Sequence, residues 1–298
     1  MNLYQQRAAN IRRTWALIAG FLLIVIAIGW LVSWYYEEQA ILYLAVTIAL
    51  LTNVFAYWHS DKLVLSMSRA RPASREEFFD FYTVTENLAI TAGLPLPKLY
   101  VINDPAPNAF ATGRNETHAV VCATTGLLSL LGRSELEGVI AHELSHIKNR
   151  DILVMTIAVV LAGFVAIVAD IFLRMSFHGG GRRDNGMGGN ALILVLGVVG
   201  IILAPIAAKL IQLAISRHRE FLADASGALL TRYPEGLAAA LQKIGAYAAP
   251  MKRISHATAH LFISNPFGPS SGKRESWLAR LFATHPPLSD RIQALVGK

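Results

Sequence analysis

Four apolar stretches, residues 15–34, 40–58, 152–173 and 191–215, constrain this 298-residue chain more than any other feature. About 20 apolar residues of helix cross the ~30 Å hydrocarbon core of a bilayer, and each stretch has that length. Within lipid every backbone N–H and C=O needs an internal partner, which leaves the helix as the form such segments take. Composition agrees, at 54% hydrophobic and 16% charged residues. Trp15, Trp30, Trp34, Tyr35, Tyr36 and Trp58 cluster near the proposed ends, where amphipathic rings anchor at the interface. The first stretch is too long for a signal peptide and has no small-residue cleavage site before Glu37, so it reads as a retained anchor.

Arg7, Arg12 and Arg13 precede the first stretch, whereas the turn at 35–39 carries only Glu37 and Glu38. The positive-inside bias puts the N-terminus, and after two crossings residues 59–151, in the cytoplasm. Arg174, Arg182 and Arg183 between the third and fourth stretches run against an outside loop, so a hairpin that dips into the bilayer without crossing stays open beside two full spans. A net charge of +7 suits a protein lying against anionic lipid, and no basic run with interleaved aromatics points to nucleic acid. Cys122 is the one cysteine, which excludes intramolecular disulfides and reads as a small buried residue.

Ahead of the third stretch stands His142-Glu143-Leu144-Ser145-His146. Residues four apart share a helical face, so both imidazoles reach one ion, while Glu143 points about 100° away, as a base beside a metal must. Zinc held by His nitrogens with one open position lowers the pKa of a water toward ~7, and a carboxylate can then deprotonate it, which is peptide-bond hydrolysis chemistry. Chance gives this pattern in about one sequence in a hundred of such composition, so context has to decide. Ser134 and Glu137 read as a capping box, and Leu136, Val139, Ile140, Leu144 and Ile147 follow the helical period. The motif then falls inside a helix that its polar flanks, from Ser134 to Asp151, predict to be water-exposed. His256 and His260 are also four apart, but Ala257 stands where a base would be.

A catalytic zinc takes three protein ligands. The metzincin third His fails, because Asn149 and Ile152 stand where Gly and His are required. Glu220 and Asp224, four apart in Arg217-His218-Arg219-Glu220-Phe221-Leu222-Ala223-Asp224, offer one carboxylate for the ion and one for a ligating imidazole. The residues alone equally allow Glu220 to pair with Arg217 or Arg219 on a solvated helix. If Glu220 joins His142 and His146, an even number of crossings separates them, and the ion lies near the inner membrane surface.

Together these motifs, with Lys148-Asn149-Arg150-Asp151, Asn108-Ala109-Phe110-Ala111-Thr112-Gly113 and His285-Pro286-Pro287 followed by Arg291, resemble the membrane-embedded gluzincin metalloproteases, the family of HtpX-type and CaaX prenyl proteases. The resemblance spans nearly the whole chain and is nearer the HtpX type. It implies one Zn²⁺ per chain on His142, His146 and Glu220, with Asp224 behind a ligand and Glu143 as catalytic base. It implies that residues 108–111 belong to an edge strand that pairs with substrate backbone, that His285 steadies an oxyanion or bound peptide, and that Arg291 holds a nearby carboxylate. It further implies polypeptide substrates, above all misfolded membrane proteins cut on the cytoplasmic side of the bacterial inner membrane in a stress response.

The expected fold is a mainly α integral membrane protein, with four transmembrane helices and a cytoplasmic α+β zincin-like domain carrying a short β-sheet. Its parts are a membrane hairpin (1–58), a protease region with the zinc helix (59–151), a second hairpin (152–215) and a returning protease region (216–298). Helix is expected over 76–92, ended by Gly93, with strands at 98–102 and 118–123, a loop at 264–276 and a terminal helix over 290–296. Competing readings are a CaaX-type processing protease and a catalytically silent membrane scaffold or chaperone, against which the intact Glu143 stands.

Overall fold

A computed structural model describes residues 3–178, 217–252, 258–267 and 286–297. The proposed fourth stretch, most of the preceding loop, His256, His285 and most of 264–276 lie outside these residues.

Two long helices, α1 (Leu3–Tyr36) and α2 (Gln39–Met67), form an antiparallel hairpin. Glu37 turns the chain in the left-handed region (φ 53), and the Glu38 carboxylate caps α2 by accepting from Ala40 N–H at 3.1 Å. Gly29 lets the helices meet, since a Cβ there would overlap Ala45. Among the described residues, Arg7–Trp34 and Gln39–Met67 are long and apolar enough to cross a membrane. Only 22% and 17% of their apolar windows are buried within the protein, which leaves large apolar faces carrying Leu23, Trp30, Leu51 and Phe55, the character of helices that face lipid. The third stretch lies on α6 (Asp151–His178), whose first half packs Leu153, Ile157 and Leu161 against Leu17, Phe21 and Ala56 of the hairpin.

The remainder is built around a four-stranded sheet of order β1-β2-β4-β3, from β1 (Arg71–Pro72), β2 (Lys98–Ile102), β3 (Ala109–Gly113) and β4 (Ala119–Thr124). β2 and β4 run parallel; the other pairings are antiparallel, with Phe110 opposite Cys122. Both faces are covered, which explains why β3 and β4 read as continuous small-apolar runs without a polar alternation. Leu99, Val101, Val121 and Ala123 pack on α3 (Phe79–Ala92) and α5 (Arg133–Lys148). Phe110 and Cys122 pack on Val64 of α2, Met155 and Val159 of α6, and Phe262. The membrane helices thus supply part of the core of the sheet domain.

α3 begins three residues after the expected start and stops at Gly93, whose φ of 68 closes the helix in the left-handed conformation. β2 has the expected bounds; β4 starts one residue late, after a short 3₁₀ turn at Glu116–His118. A short α4 (Thr125–Leu130) leads into α5. The capping box on Ser134 and Glu137 is a misreading. α5 starts at Arg133, and Glu135 reaches back to accept from Gly132 N–H at 2.8 Å, a glycine having no side chain to complete the box. Nor is α5 water-exposed: Leu136 and every residue from Gly138 to Ile147 are buried, because α3, α7 (Arg217–Thr231), α8 (Pro234–Ala246) and β3 surround it. Its polar flanks reach solvent only at the ends. The terminal helix α9 runs Leu288–Val296 and packs on α8.

At Gly138 α5 and α8 approach closely, a Cβ there lying 2.6 Å from Leu237 N and 2.7 Å from its Cα. Backbone cannot yield as a flexible side chain does, so Gly138→Ala should destabilise the protein by about 1–3 kcal/mol. Thermal melting in detergent micelles, compared with wild type, measures this.

Candidate active site

The motif helix delivers its two imidazoles one turn apart, as the spacing demands. His142 Nε2 and His146 Nε2 stand 3.2 Å apart. α7 crosses α5 closely because Gly227 lies against the His142 backbone, where a Cβ would be 3.0 Å from His142 N. That approach brings Glu220 into the site: its Oε1 is 3.5 Å from His146 Nε2 and its Oε2 is 3.9 Å from His142 Nε2. One donor atom from each of His142, His146 and Glu220 lies within 4.8 Å of the others, all buried.

Both imidazoles have their rear nitrogens occupied. His142 Nδ1 is 2.9 Å from Asp224 Oδ1, and His146 Nδ1 is 3.0 Å from Asp151 Oδ2. These carboxylates fix the tautomer that leaves Nε2 for an ion. Asp224 is gripped by Arg291 through two hydrogen bonds, Nε to Oδ2 at 2.8 Å and Nη2 to Oδ1 at 2.6 Å. Fully buried, Arg291 also donates to the Ile263 carbonyl at 3.1 Å and stands 3.8 Å from Glu220 Oε2. Glu220 therefore does not ride on a solvated helix. Its neighbour Arg219 is buried too, near Asp151.

Glu143 lies beside the imidazoles and near the Ala111 backbone N–H of β3, which works to lower its pKa. β3 is an edge strand of the sheet, and at Ala109 its outer side accepts a hydrogen bond from Ile263 N at 2.9 Å. The Asn108 amide fastens the same segment, donating to the Ser264 carbonyl at 3.0 Å and accepting from Ser264 N at 3.2 Å. Phe110 points to the opposite face and stacks edge-on with Phe262. His285 lies outside the described residues. The sequence reading missed Asp151 as the partner of His146; an acidic residue five beyond a metal-type His was its only signal.

The donor set fits a zinc ion. With Zn–N of about 2.0–2.1 Å, two nitrogens of a tetrahedral site stand about 3.3 Å apart, close to the separation seen here. Charge points the same way. Four buried carboxylates, Glu143, Asp151, Glu220 and Asp224, face two buried guanidiniums, Arg219 and Arg291, leaving two negative charges for a divalent cation to balance. Protons take that role in the metal-free chain. Burial pushes Glu143 up to about 7, with His146 and Arg291 opposing and Glu220 adding. For His146, burial works downward, but the Asp151 hydrogen bond and the Glu220 charge outweigh it and raise the imidazole to about 9. Burial lowers His142 despite Asp224, and Asp224 itself is held below its ordinary value because Arg291 and His142 outweigh its burial.

Both raised groups stabilise the metal-free fold fully below their unfolded values, 6.5 for His146 and 4.5 for Glu143, and lose that contribution as pH climbs through about 9 and about 7. Metal-free protein should thus lose stability between these limits. Ion uptake should expel about two protons near pH 6 and about one near pH 8. Calorimetry in buffers of different ionisation enthalpy counts them; uptake with no proton release at pH 6 would contradict the balance.

Comparison with known proteins agrees with this geometry. The profile of Peptidase family M48 matches residues 75–298. Protease HtpX homolog of Caldanaerobacter subterraneus subsp. tengcongensis is 47% identical, covering 98% of this chain and 97% of that protein. The Pyrococcus furiosus Protease HtpX homolog is 48% identical over 95% of this chain and 94% of its own length. The crystal structure of S. mikatae Ste24p shares the fold at a TM-score of 0.51 and 18% identity, this chain spanning 66% of it. With that extent of match, the chain belongs to Peptidase family M48, among the membrane metalloproteases of HtpX type.

Proposed function

We propose that the protein is a zinc-dependent endopeptidase that cuts misfolded or damaged membrane proteins at the cytoplasmic face of the bacterial inner membrane. The observation that carries the chemistry is the convergence of His142, His146 and Glu220 on one point, with Glu143 beside it. In this reading those three residues hold the ion. When bound, zinc supplies the Lewis acid that acidifies water and polarises the scissile carbonyl.

The remaining work belongs to the chain. Glu143 takes a proton from the attacking water and delivers it to the leaving nitrogen; a carboxyl raised toward neutrality suits both transfers. Asp224 and Asp151 hold the imidazoles in register, and Arg291 acts through Asp224, since it is fully buried. Within Asn108–Ala111, the edge toward Ala111 is the candidate for aligning an extended peptide, since the Ala109 carbonyl already accepts from Ile263 N–H. Main-chain pairing favours loose side-chain selectivity because such bonds are common to every substrate. His285 is proposed near the oxyanion on the family resemblance alone.

Membrane substrates are favoured because the sheet holding the site packs on α2 and α6, which sets the site beside long apolar helices. The arginines before α1 favour a cytoplasmic active site, and four spans are the arrangement that keeps all three ligands on that side if the third and fourth stretches both cross. The quality-control role, rather than CaaX processing, rests on similarity to proteins named Protease HtpX homolog.

Glu143→Gln should keep its zinc and lose about 10²–10⁴-fold in cleavage of a membrane-protein substrate in detergent. Near wild-type turnover in that variant would remove Glu143 as the base. Sidedness has its own test. Cys122 is buried, so a cysteine installed at exposed Ser289 should react with a membrane-impermeant maleimide in inside-out vesicles and not in intact cells.

A further inference from the structure

Asn10 is a buried polar residue that the hydrolytic chemistry leaves unused. It sits near the start of α1, fully inaccessible, with its side-chain amide engaged at both ends. Nδ2 donates to Asp151 Oδ1 at 2.6 Å and to the Asn149 carbonyl at 3.0 Å. Oδ1 accepts from Arg13 Nη1 and from Arg219 Nη1, each at 3.4 Å. Asp151 spends its other oxygen on His146 Nδ1, and Arg219 immediately precedes Glu220 while its Nε lies 3.8 Å from Asp151 Oδ1. A single amide on a membrane helix therefore touches the carboxylate behind His146 and the arginine next to Glu220 in the chain.

The surroundings explain why an amide is needed. The turn from α5 to α6 passes through Arg150 in the left-handed region (φ 61), which swings Asp151 back toward His146. Asp151 is wholly buried, and a buried carboxylate requires donors. An aspartate at position 10 would set two carboxylates against each other; an apolar residue would leave Oδ1 of Asp151, among the described residues, with Arg219 at ion-pair distance. Arg7 fixes the same end of α1, its Nη2 lying 3.2 Å from Glu116 Oε1, which Arg150 Nε also approaches at 3.4 Å.

We infer that Asn10 is a positioning residue of the metal centre: it locks Asp151 onto His146 and steadies Arg219 beside Glu220, making the first membrane helix part of the ligand scaffold. Metal affinity then depends on how α1 is seated, and not only on the residues of the protease domain. The inference rests on the zinc reading above.

The test uses full-length protein in detergent: wild type, Asn10→Ala, Asn10→Leu and Thr14→Val. Thr14 is a buried α1 neighbour whose hydroxyl donates to the Asn10 carbonyl at 3.0 Å, so its variant controls for damage to the helix. Chelator competition gives zinc and cobalt affinities, the Co²⁺ absorption spectrum reports ligand geometry, and melting reports stability. Both Asn10 variants should bind metal about tenfold more weakly and shift the cobalt spectrum, at the lower end of what lost supporting contacts cost. Thr14→Val should leave affinity and spectrum unchanged, and Asp151→Asn added to Asn10→Ala should cost less than the two separate losses together. Should Asn10→Leu fail to fold, Asn10→Ala and the conservative Asn10→Ser decide. Wild-type affinity and spectrum in Asn10→Ala, whatever its melting temperature, would overturn the inference. Wild-type protein that takes up neither zinc nor cobalt would instead defeat the zinc reading itself.

Discussion

Two buried imidazole Nε2 atoms held 3.2 Å apart, each backed by its own carboxylate, set the terms for the rest of the molecule. Charges so placed are costly unless paired, and here the pairing reaches outward in layers. Asp224 needs Arg291, which arrives from α9; Asp151 needs Asn10 and Arg219, which arrive from α1 and α7. Each layer recruits an element distant in sequence. The folding of the C-terminal helix and the seating of the N-terminal helix are thereby tied to one buried cluster, whose electrostatic sum a divalent ion would complete.

α5 can serve as the hub because it is surrounded on all sides by protein. A solvated helix would leave its histidines in high dielectric, where Asp224 and Asp151 could do little to fix their tautomers. Close approach is what makes the enclosure possible. Gly138 admits α8 and Gly227 admits α7, while the small residues Ala109 and Ala111 let β3 lie against the same helix. The sheet is equally enclosed, its second face covered by Val64, Met155 and Val159 from helices that belong to the membrane half.

How much of this was legible in the sequence follows the range of the interactions. The spacing of His142, Glu143 and His146 and the pairing of Glu220 with Asp224 are local, so helical geometry alone placed each pair on one face. Gly93 and Gly29 mark local needs as well, one a helix stop and one a close crossing, though only the first carried a readable signal. The start of α5 was misjudged because Ser134 resembles an N-cap more than a glycine does, whereas Glu135 satisfied the Gly132 amide. Exposure of α5 was misjudged for a different reason: burial by four separate elements leaves no local trace in a pattern with polar flanks. The Asn10–Asp151 contact spans 141 residues and could not be inferred from either segment alone.

The outer edge of β3 shows how far the same scaffold extends. An extended peptide pairing along the whole strand would have to displace Ile263, whose N–H already donates to Ala109. Ile263 is itself buried, and its carbonyl accepts from Arg291, the residue that grips Asp224 behind His142. Opening that end of the strand would therefore disturb the support of a candidate ligand. The Asn108 amide, bonded to both backbone groups of Ser264, reinforces the closure. In the proteolytic reading, backbone pairing with substrate is consequently confined to the part of the edge beyond Ala109, toward Ala111, whose amide already faces Glu143. On that reading the strand's closed end would support the metal ligands, and the length left beside Glu143 would set the register of the chain to be cut.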